Sequence, residues 1–165
     1  MDAILSRRSI RAFKSAQVPD DLLLRIIKCG FAAPSAGNQQ PWHFVVLRER
    51  RVLDELAAQI PEMQTATAPL AVLICSIPRD LKWPQYWPID CALASENILI
   101  AAHAEGLGAV FANVYPKPER ASIIRSLIPL PQEAEPFVLI PIGYPAEIKP
   151  PADRFDPAKV HDGKW

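Results

Sequence analysis

Residues 32–45 read APSAGNQQPWHFVV. A loop of small residues and three consecutive side-chain amides, Asn38, Gln39 and Gln40, runs straight into an aromatic and branched stretch. WHFVVL has the composition of a compact buried strand, and the Gly, Ser and Asn before it mark a loop. One reading of the amides is that loops are polar. The other is that they meet the edge of a flat ligand. Each Asn or Gln offers a donor and an acceptor, matching the alternating C=O and N–H edge of a uracil-like ring. Ala36 and Gly37 would let backbone approach its face closely.

Working outward, VPDDLLLRIIKCGFAA (18–33) sets Leu22, Leu23, Ile26 and Ile27 on one helical face, with Asp20 and Asp21 in the first turn and Gly30 and Pro34 bracketing its end. RERRVLDELAAQI (48–60) is a short amphipathic helix, PLAVLICSI (69–77) a second buried strand, AVFANV (109–114) a third and PFVLIPIGY (136–144) a fourth. PERASIIRSL (118–127) is a helix with Pro118 in its first turn. Between the second and third strands, WPQYWPIDCALASENILIAAHAEGLG continues as a helix apolar nearly all round, stopped by Gly106 and Gly108. Such a helix either lies in the middle of the domain or packs against another copy. The alternation suits a doubly wound parallel sheet, yet the first strand arrives late and the chain ends in GYPAEIKPPADRFDP, too proline-rich for regular structure. Periodicity leaves a parallel, antiparallel or mixed sheet open. The extended tail is ordered only if it lies on something.

Half of the 165 residues are apolar, which suits one domain with a real core. Lys plus Arg balance Asp plus Glu, arguing against nucleic acid or an anionic membrane as a partner held by bulk charge. Cys29, Cys75 and Cys91 lack CxxC spacing and sit in apolar segments, so they are expected to be buried free thiols, compatible with a reducing cytoplasm. No apolar run approaches the ~20 residues of a membrane span, and the N-terminus lacks a signal-peptide core. The chain is expected to be cytoplasmic.

His43, His103 and His161 are scattered, and no GxSxG elbow exists, so nucleophilic catalysis finds no apparatus. No His or Cys pair has zinc-ligand spacing, and no metal is expected. GLGAVF lacks the third glycine of a dinucleotide fingerprint and follows a helix. What remains is SRRSIRAF, where Arg7, Arg8, Ser9 and Arg11 stand within five residues. Guanidinium forks plus a hydroxyl suit a phosphate, and Arg154 in the tail offers a further cation. A solvated basic patch is the alternative. Phosphate at one end and a pyrimidine edge at the other describe a nucleotide, and flavin mononucleotide (FMN) fits.

RRSIRAF, APSAGNQQPWHFVV, ENILIAAHAEGLGAV and PIGYPAEIKPPADRFDPAKVH, in this order and spanning nearly the whole chain, resemble the FMN-dependent nitroreductase family. The resemblance implies an α+β fold, a three-layer α/β/α sandwich on a mixed, mainly antiparallel sheet. It also implies an intertwined homodimer with FMN at the interface: one FMN-binding domain over residues 1–165 whose arm, about 145–165, wraps the partner. Carried over by motif, Arg7, Arg8 and Ser9 hold the phosphate and ribityl chain, and Arg11 stands near the flavin N1 and tunes it. Pro34, Ser35, Ala36 and Asn38 contact the flavin from the other protomer, backbone at Phe111, Ala112 and Asn113 lies near N5, and Arg154 returns to the phosphate. Many members carry Lys where this chain has Ala152, which shifts weight onto Arg7, Arg8 and Arg154. RDLKWPQYWP replaces a longer excursion over the active site, making Trp83, Tyr86 and Trp87 the candidates for the substrate wall.

The implied activity is hydride transfer from NADH or NADPH to flavin N5, then to a nitroaromatic, quinone or flavin acceptor by a ping-pong route. The cofactor supplies the chemistry and the protein orients it. A flavin-binding sensor or carrier, or a flavin-fragmenting or dehalogenating member of the same fold, is the alternative.

Overall fold

The strand Glu135–Gly143 (β5 in chain order) organises the rest of the structure, a computed structural model describing residues 2–165. Every residue of it after Glu135 is buried, so both of its faces are covered. On one side it pairs antiparallel with β2 (Leu70–Ser76), which pairs antiparallel with β1 (Trp42–Leu47). On the other side it takes two short strands, β3 (Gly108–Ala109) and β4 (Ala112–Asn113). All pairs between these strands are antiparallel; the parallel element is a single bridge, Ser9 to Ala109, at the sheet edge.

Among the described residues five α-helices flank the sheet: α1 (Asp2–Ser6), α2 (Asp20–Phe31), α3 (Arg50–Gln59), α4 (Trp87–Ala104) and α5 (Pro118–Leu127). The period-2 alternation of β2 divides them. Val72 and Ile74 pack with Leu23 and Ile26 of α2 and Ala94 and Ile98 of α4. Ala71, Leu73 and Cys75 point the other way, against Leu53 and Leu56 of α3 and Ile124 of α5. The result is a three-layer α/β/α sandwich of the α+β class. Leu73 has no exposed surface and sits mid-sheet. Leu73→Ala is expected to cost about 2–5 kcal/mol through lost contacts and a cavity, read as a shift in the urea midpoint at constant slope.

Three local expectations change. AVFANV is broken in two because the register carries Val110 opposite Pro141, which has no N–H to give the ladder. Gly30 lies inside α2 as a contact point: a Cβ there would stand 3.0 Å from Ile98 Cδ1. Cys29 is exposed, while Cys75 and Cys91 are buried. Helix α4 does stop at Gly106, whose φ of +76° suits a residue without a Cβ, and the Leu107 N–H returns to the Ala102 carbonyl. Its buried face meets α2 and the sheet, while Ile89 and Leu93 on the other face are exposed. Among the described residues no helix is long and apolar enough to cross a membrane.

Candidate functional site

The arginine motif is held as an extra edge strand, and both of its flanks are occupied. On one flank the Ile10 N–H donates to the Ala109 carbonyl at 3.0 Å, beside the parallel Ser9–Ala109 bridge. Gly108 makes that approach feasible, since a Cβ there would lie 2.6 Å from Ile10 Cγ2. The glycine is therefore set by contact with the arginine motif. On the other flank the beginning of the tail is stitched down: Lys14 N–H to the Tyr144 carbonyl (2.8 Å) and Ala146 N–H to the Ala12 carbonyl (2.9 Å). The N-terminal and C-terminal motifs thus form one seam, and Ser9 bridges Ala109, two positions before Phe111.

Cations collect along this seam. Arg7 donates to Glu96 of α4 at 3.3 Å, and its partly covered side chain lines a groove of about 400 Å³ together with Ala152 and Arg154. Arg8 donates to the Pro150 carbonyl. Lys149, which the sequence reading passed over, places Nζ 2.9 Å from the Ser9 carbonyl and 2.9 Å from Glu147 Oε1. Among the described residues Arg8, Arg11 and Arg154 have no carboxylate partner, so their charge is available to an anion. The donor set of Arg7, Arg8 and Arg154 fits a phosphate, and Ala152 contributes no donor to it.

Glu147 is the clasp of the seam. Its Oε1 accepts the Arg11 backbone N–H at 2.6 Å, and that bond, followed by Lys149, holds its carboxyl below the 4.5 of a free glutamate. The clasp is therefore fully formed above that value and is lost as pH falls through the lowered one. Pepsin cleavage within 145–165 is expected to accelerate as pH is taken from 5 to 3, and Glu147→Gln is expected to flatten that pH dependence.

The amide loop sits elsewhere, tied to the start of α4. Asp90 is 2% exposed, and both its oxygens are engaged: Oδ1 accepts from Ala36 N–H (2.9 Å) and Oδ2 from Gln39 Nε2 (2.7 Å). The Ser35 hydroxyl accepts the Gln40 N–H (2.9 Å), and the Gln40 amide donates to Asn38 Oδ1 (3.1 Å). Gly37, Asn38 and Gln40 all have positive φ, a tight left-handed path that Asn tolerates and Gly favours. Gln39 is thus committed to the loop's own scaffold. Of the three amide residues, Asn38 and Gln40 are exposed.

The three proposed wall aromatics separate. Trp83 and Tyr86 are exposed on a short turn, whereas Trp87 is 8% exposed. The Trp87 ring meets Tyr115 edge-on at 4.9 Å and Phe137 at 5.8 Å, and Phe111 meets Phe137 edge-on at 5.8 Å. Trp87 therefore backs the aromatic cluster as core, and the exposed edges belong to Phe111 and Tyr115. Asn113 is fixed by Arg120, which donates to its carbonyl at 2.8 Å and to Oδ1 at 3.2 Å.

Two of the three thiols are buried, and one is exposed. Burial pushes the Cys75 thiol up to about 12, and the Cys91 thiol, beside Asp90, is also pushed up. One thiol per folded chain, Cys29, is expected to react with a thiol-specific disulfide reagent at pH 8. All three react in denaturant.

The nitroreductase family profile matches residues 4–78 and 65–144. A protein of Methanothermobacter thermautotrophicus named "Putative NADH dehydrogenase/NAD(P)H nitroreductase" is 42% identical, with 100% of this chain and 87% of that protein covered. The FMN-dependent nitroreductase of Clostridium difficile has the same fold, with a TM-score of 0.90, 27% identity and 100% of both chains covered. A Bacteroides fragilis nitroreductase with bound FMN superposes with a TM-score of 0.75 and 26% identity, covering 98% of this chain and 96% of that one. With matched motifs, matched fold and full-length similarity, this chain belongs to the nitroreductase family of oxidoreductases.

Proposed function

We propose that the chain is an FMN-dependent NAD(P)H oxidoreductase acting as a homodimer, with the FMN seated between protomers. The observation that carries this reading is the seam, where the arginine segment bridges Ala109 at the sheet edge and Arg8, Arg11 and Arg154, among the described residues, have no carboxylate partners. Arg7, Arg8, Ser9 and Arg154 are the phosphate and ribityl residues of this reading, with Lys149 supplying a cation in place of the absent Lys at 152. Arg11 lies nearest the pyrimidine end, where its charge favours the anionic reduced ring.

The positions of the two motifs along α4 support a shared site. The amide loop is anchored at Asp90, and the arginine segment at Glu96 and at His103, whose ring contacts the Ser6 hydroxyl at 2.8 Å. Along a helix rising 1.5 Å per residue, Asp90 stands about 9 Å from Glu96 and about 20 Å from His103. In this reading Pro34, Ser35, Ala36 and Asn38 of one protomer serve the arginines of its partner. The exposed Ile89 and Leu93 of α4 supply the apolar face that a twofold contact would bury. The arm from about 145 onward extends the single domain of residues 1–165 across the partner, and Ile148, 99% exposed, has no cover within its own chain.

FMN supplies the redox chemistry when bound, accepting hydride from NADH or NADPH and returning it to a nitroaromatic, quinone or flavin. The chain binds it, orients it and presents Phe111, Tyr115, Trp83 and Tyr86 toward the incoming molecule. With no protein acid or nucleophile to commit, donor and acceptor take turns in one slot. Initial rates at varied NADH and menadione are expected to give parallel double-reciprocal lines; intersecting lines would remove the shared slot. The cytoplasm is the compartment proposed for it.

A further inference from the structure

Trp83 is held in an unusual way for an exposed aromatic on a short turn. The Gln39 side-chain amide pairs with both backbone groups of Trp83: Nε2 donates to its carbonyl at 3.1 Å, and its N–H donates to Oε1 at 3.1 Å. The amide mimics one rung of a β-ladder. Gln39 is held in turn by the buried Asp90, at 2.7 Å. On the other side, the indole lies directly on Gly37, where a Cβ would stand 2.9 Å from Trp83 Nε1. One edge of the ring thus rests on the amide loop and the backbone is clamped, yet 41% of the residue stays exposed. The Lys82 ammonium, 5.4 Å from the ring centroid, adds positive charge beside it. These contacts come in addition to the turn's own Tyr86 N–H to Trp83 carbonyl bond.

We propose that Trp83 is a pre-set aromatic wall that selects flat electron acceptors, and that Gln39 and Asp90 are the positioning residues that fix it. The proposal rests on the flavoenzyme reading above and says which residues of that site discriminate. An indole free to swing would lose ordering entropy each time an acceptor stacked on it, and the clamp removes that cost before binding. Asp90 acts through Gln39 and Ala36 only, since both of its oxygens are occupied by them. The chemical preference follows: an electron-rich indole face favours electron-poor rings, and a cation nearby favours those carrying negative charge.

The test compares menadione, a flat bicyclic quinone, with ferricyanide, which needs no aromatic seat, in the FMN-loaded protein. Gln39→Leu, Asp90→Asn and Trp83→Ala are each expected to lower the menadione-to-ferricyanide ratio of kcat/KM by roughly three- to tenfold, through KM for menadione. Gln39→Leu added to Trp83→Ala is expected to change that ratio no further, because the clamped backbone then carries no ring to position. An unchanged ratio in Trp83→Ala, or additive effects in the double variant, would overturn the proposal. A second readout needs no FMN. In protein labelled with 5-fluorotryptophan, the Trp83 fluorine resonance, identified by its loss in Trp83→Phe, is expected to be dispersed and to collapse toward the free value in Gln39→Leu. The Trp42 and Trp87 resonances stay in place. A Trp83 resonance unmoved by Gln39→Leu sinks the clamp whatever the flavin does. Absence of FMN binding with a Trp83 resonance that does move would instead strike the flavoenzyme reading alone.

Discussion

Deletion of residues 150–165 is expected to leave a folded chain that is largely monomeric and no longer retains FMN through purification. The cut falls after Tyr144, Ala146 and Lys149, so the hydrogen bonds that close the seam within one chain survive, apart from that of Arg8 to the Pro150 carbonyl. What is removed is a stretch with little to rest on at home: Phe155, Val160 and Trp165 are exposed, and its local structure is a single turn at Pro157–Lys159 capped by Asp156. Exposed apolar groups of this size on an extended arm gain their stabilisation from another surface. Arg154 leaves with the deletion, taking one wall of the groove it shares with Arg7. Light scattering gives the mass, and the ratio of flavin to protein absorbance gives the occupancy. A truncated protein that stays dimeric and yellow would show that the arm is not a clasp. One that is dimeric but colourless would confine its role to the phosphate.

Arg7→Ala carries the second large effect. A charged hydrogen bond to phosphate contributes about 1.5–3 kcal/mol, so FMN affinity is expected to fall roughly 10- to 150-fold. The substitution also leaves the Glu96 carboxylate without its partner at 3.3 Å, facing the same anion. Arg7→Ala combined with Glu96→Gln is therefore expected to bind FMN more tightly than Arg7→Ala alone, and Arg7→Lys is expected to recover charge without the fork. Quenching of FMN fluorescence on titration with FMN-free protein gives each Kd. An unchanged Kd for Arg7→Ala would take Arg7 out of the site.

Much of the sandwich was legible because its elements obey simple periods. β2 is apolar up to Ser76 and buried on both faces, α5 begins at its proline, and α4 ends at the glycine that its C-terminus demands. The failures have specific physical causes. No reading of AVFANV alone reveals a break that comes from Pro141 on a neighbouring strand. Gly30 looked like a stop because a close helix-to-helix contact and a helix end call for the same residue. Trp87 looked like Trp83, but Trp87 begins α4 and packs on Phe137, while Trp83 precedes that helix and stays exposed.

The candidate site divides in the same way. The arginines, the serine and the loop were legible as residue types, since phosphate and amide edges restrict the chemistry that can meet them. Their mutual placement was not. That Gln39 holds Trp83, or that Lys149 reaches Ser9 across 140 positions of sequence, depends on tertiary contacts. The signal for Lys149 was present in its place five positions before Arg154, on the same arm.

The central claim is that this chain binds FMN and receives electrons from a nicotinamide. The visible spectrum of the purified protein, recorded anaerobically before and after NADH and then NADPH, tests it most directly. The account predicts a flavin spectrum that bleaches with at least one of the two nucleotides at about one FMN per chain. A protein that takes up no flavin when FMN is supplied, or a bound flavin that neither nucleotide bleaches, would contradict it.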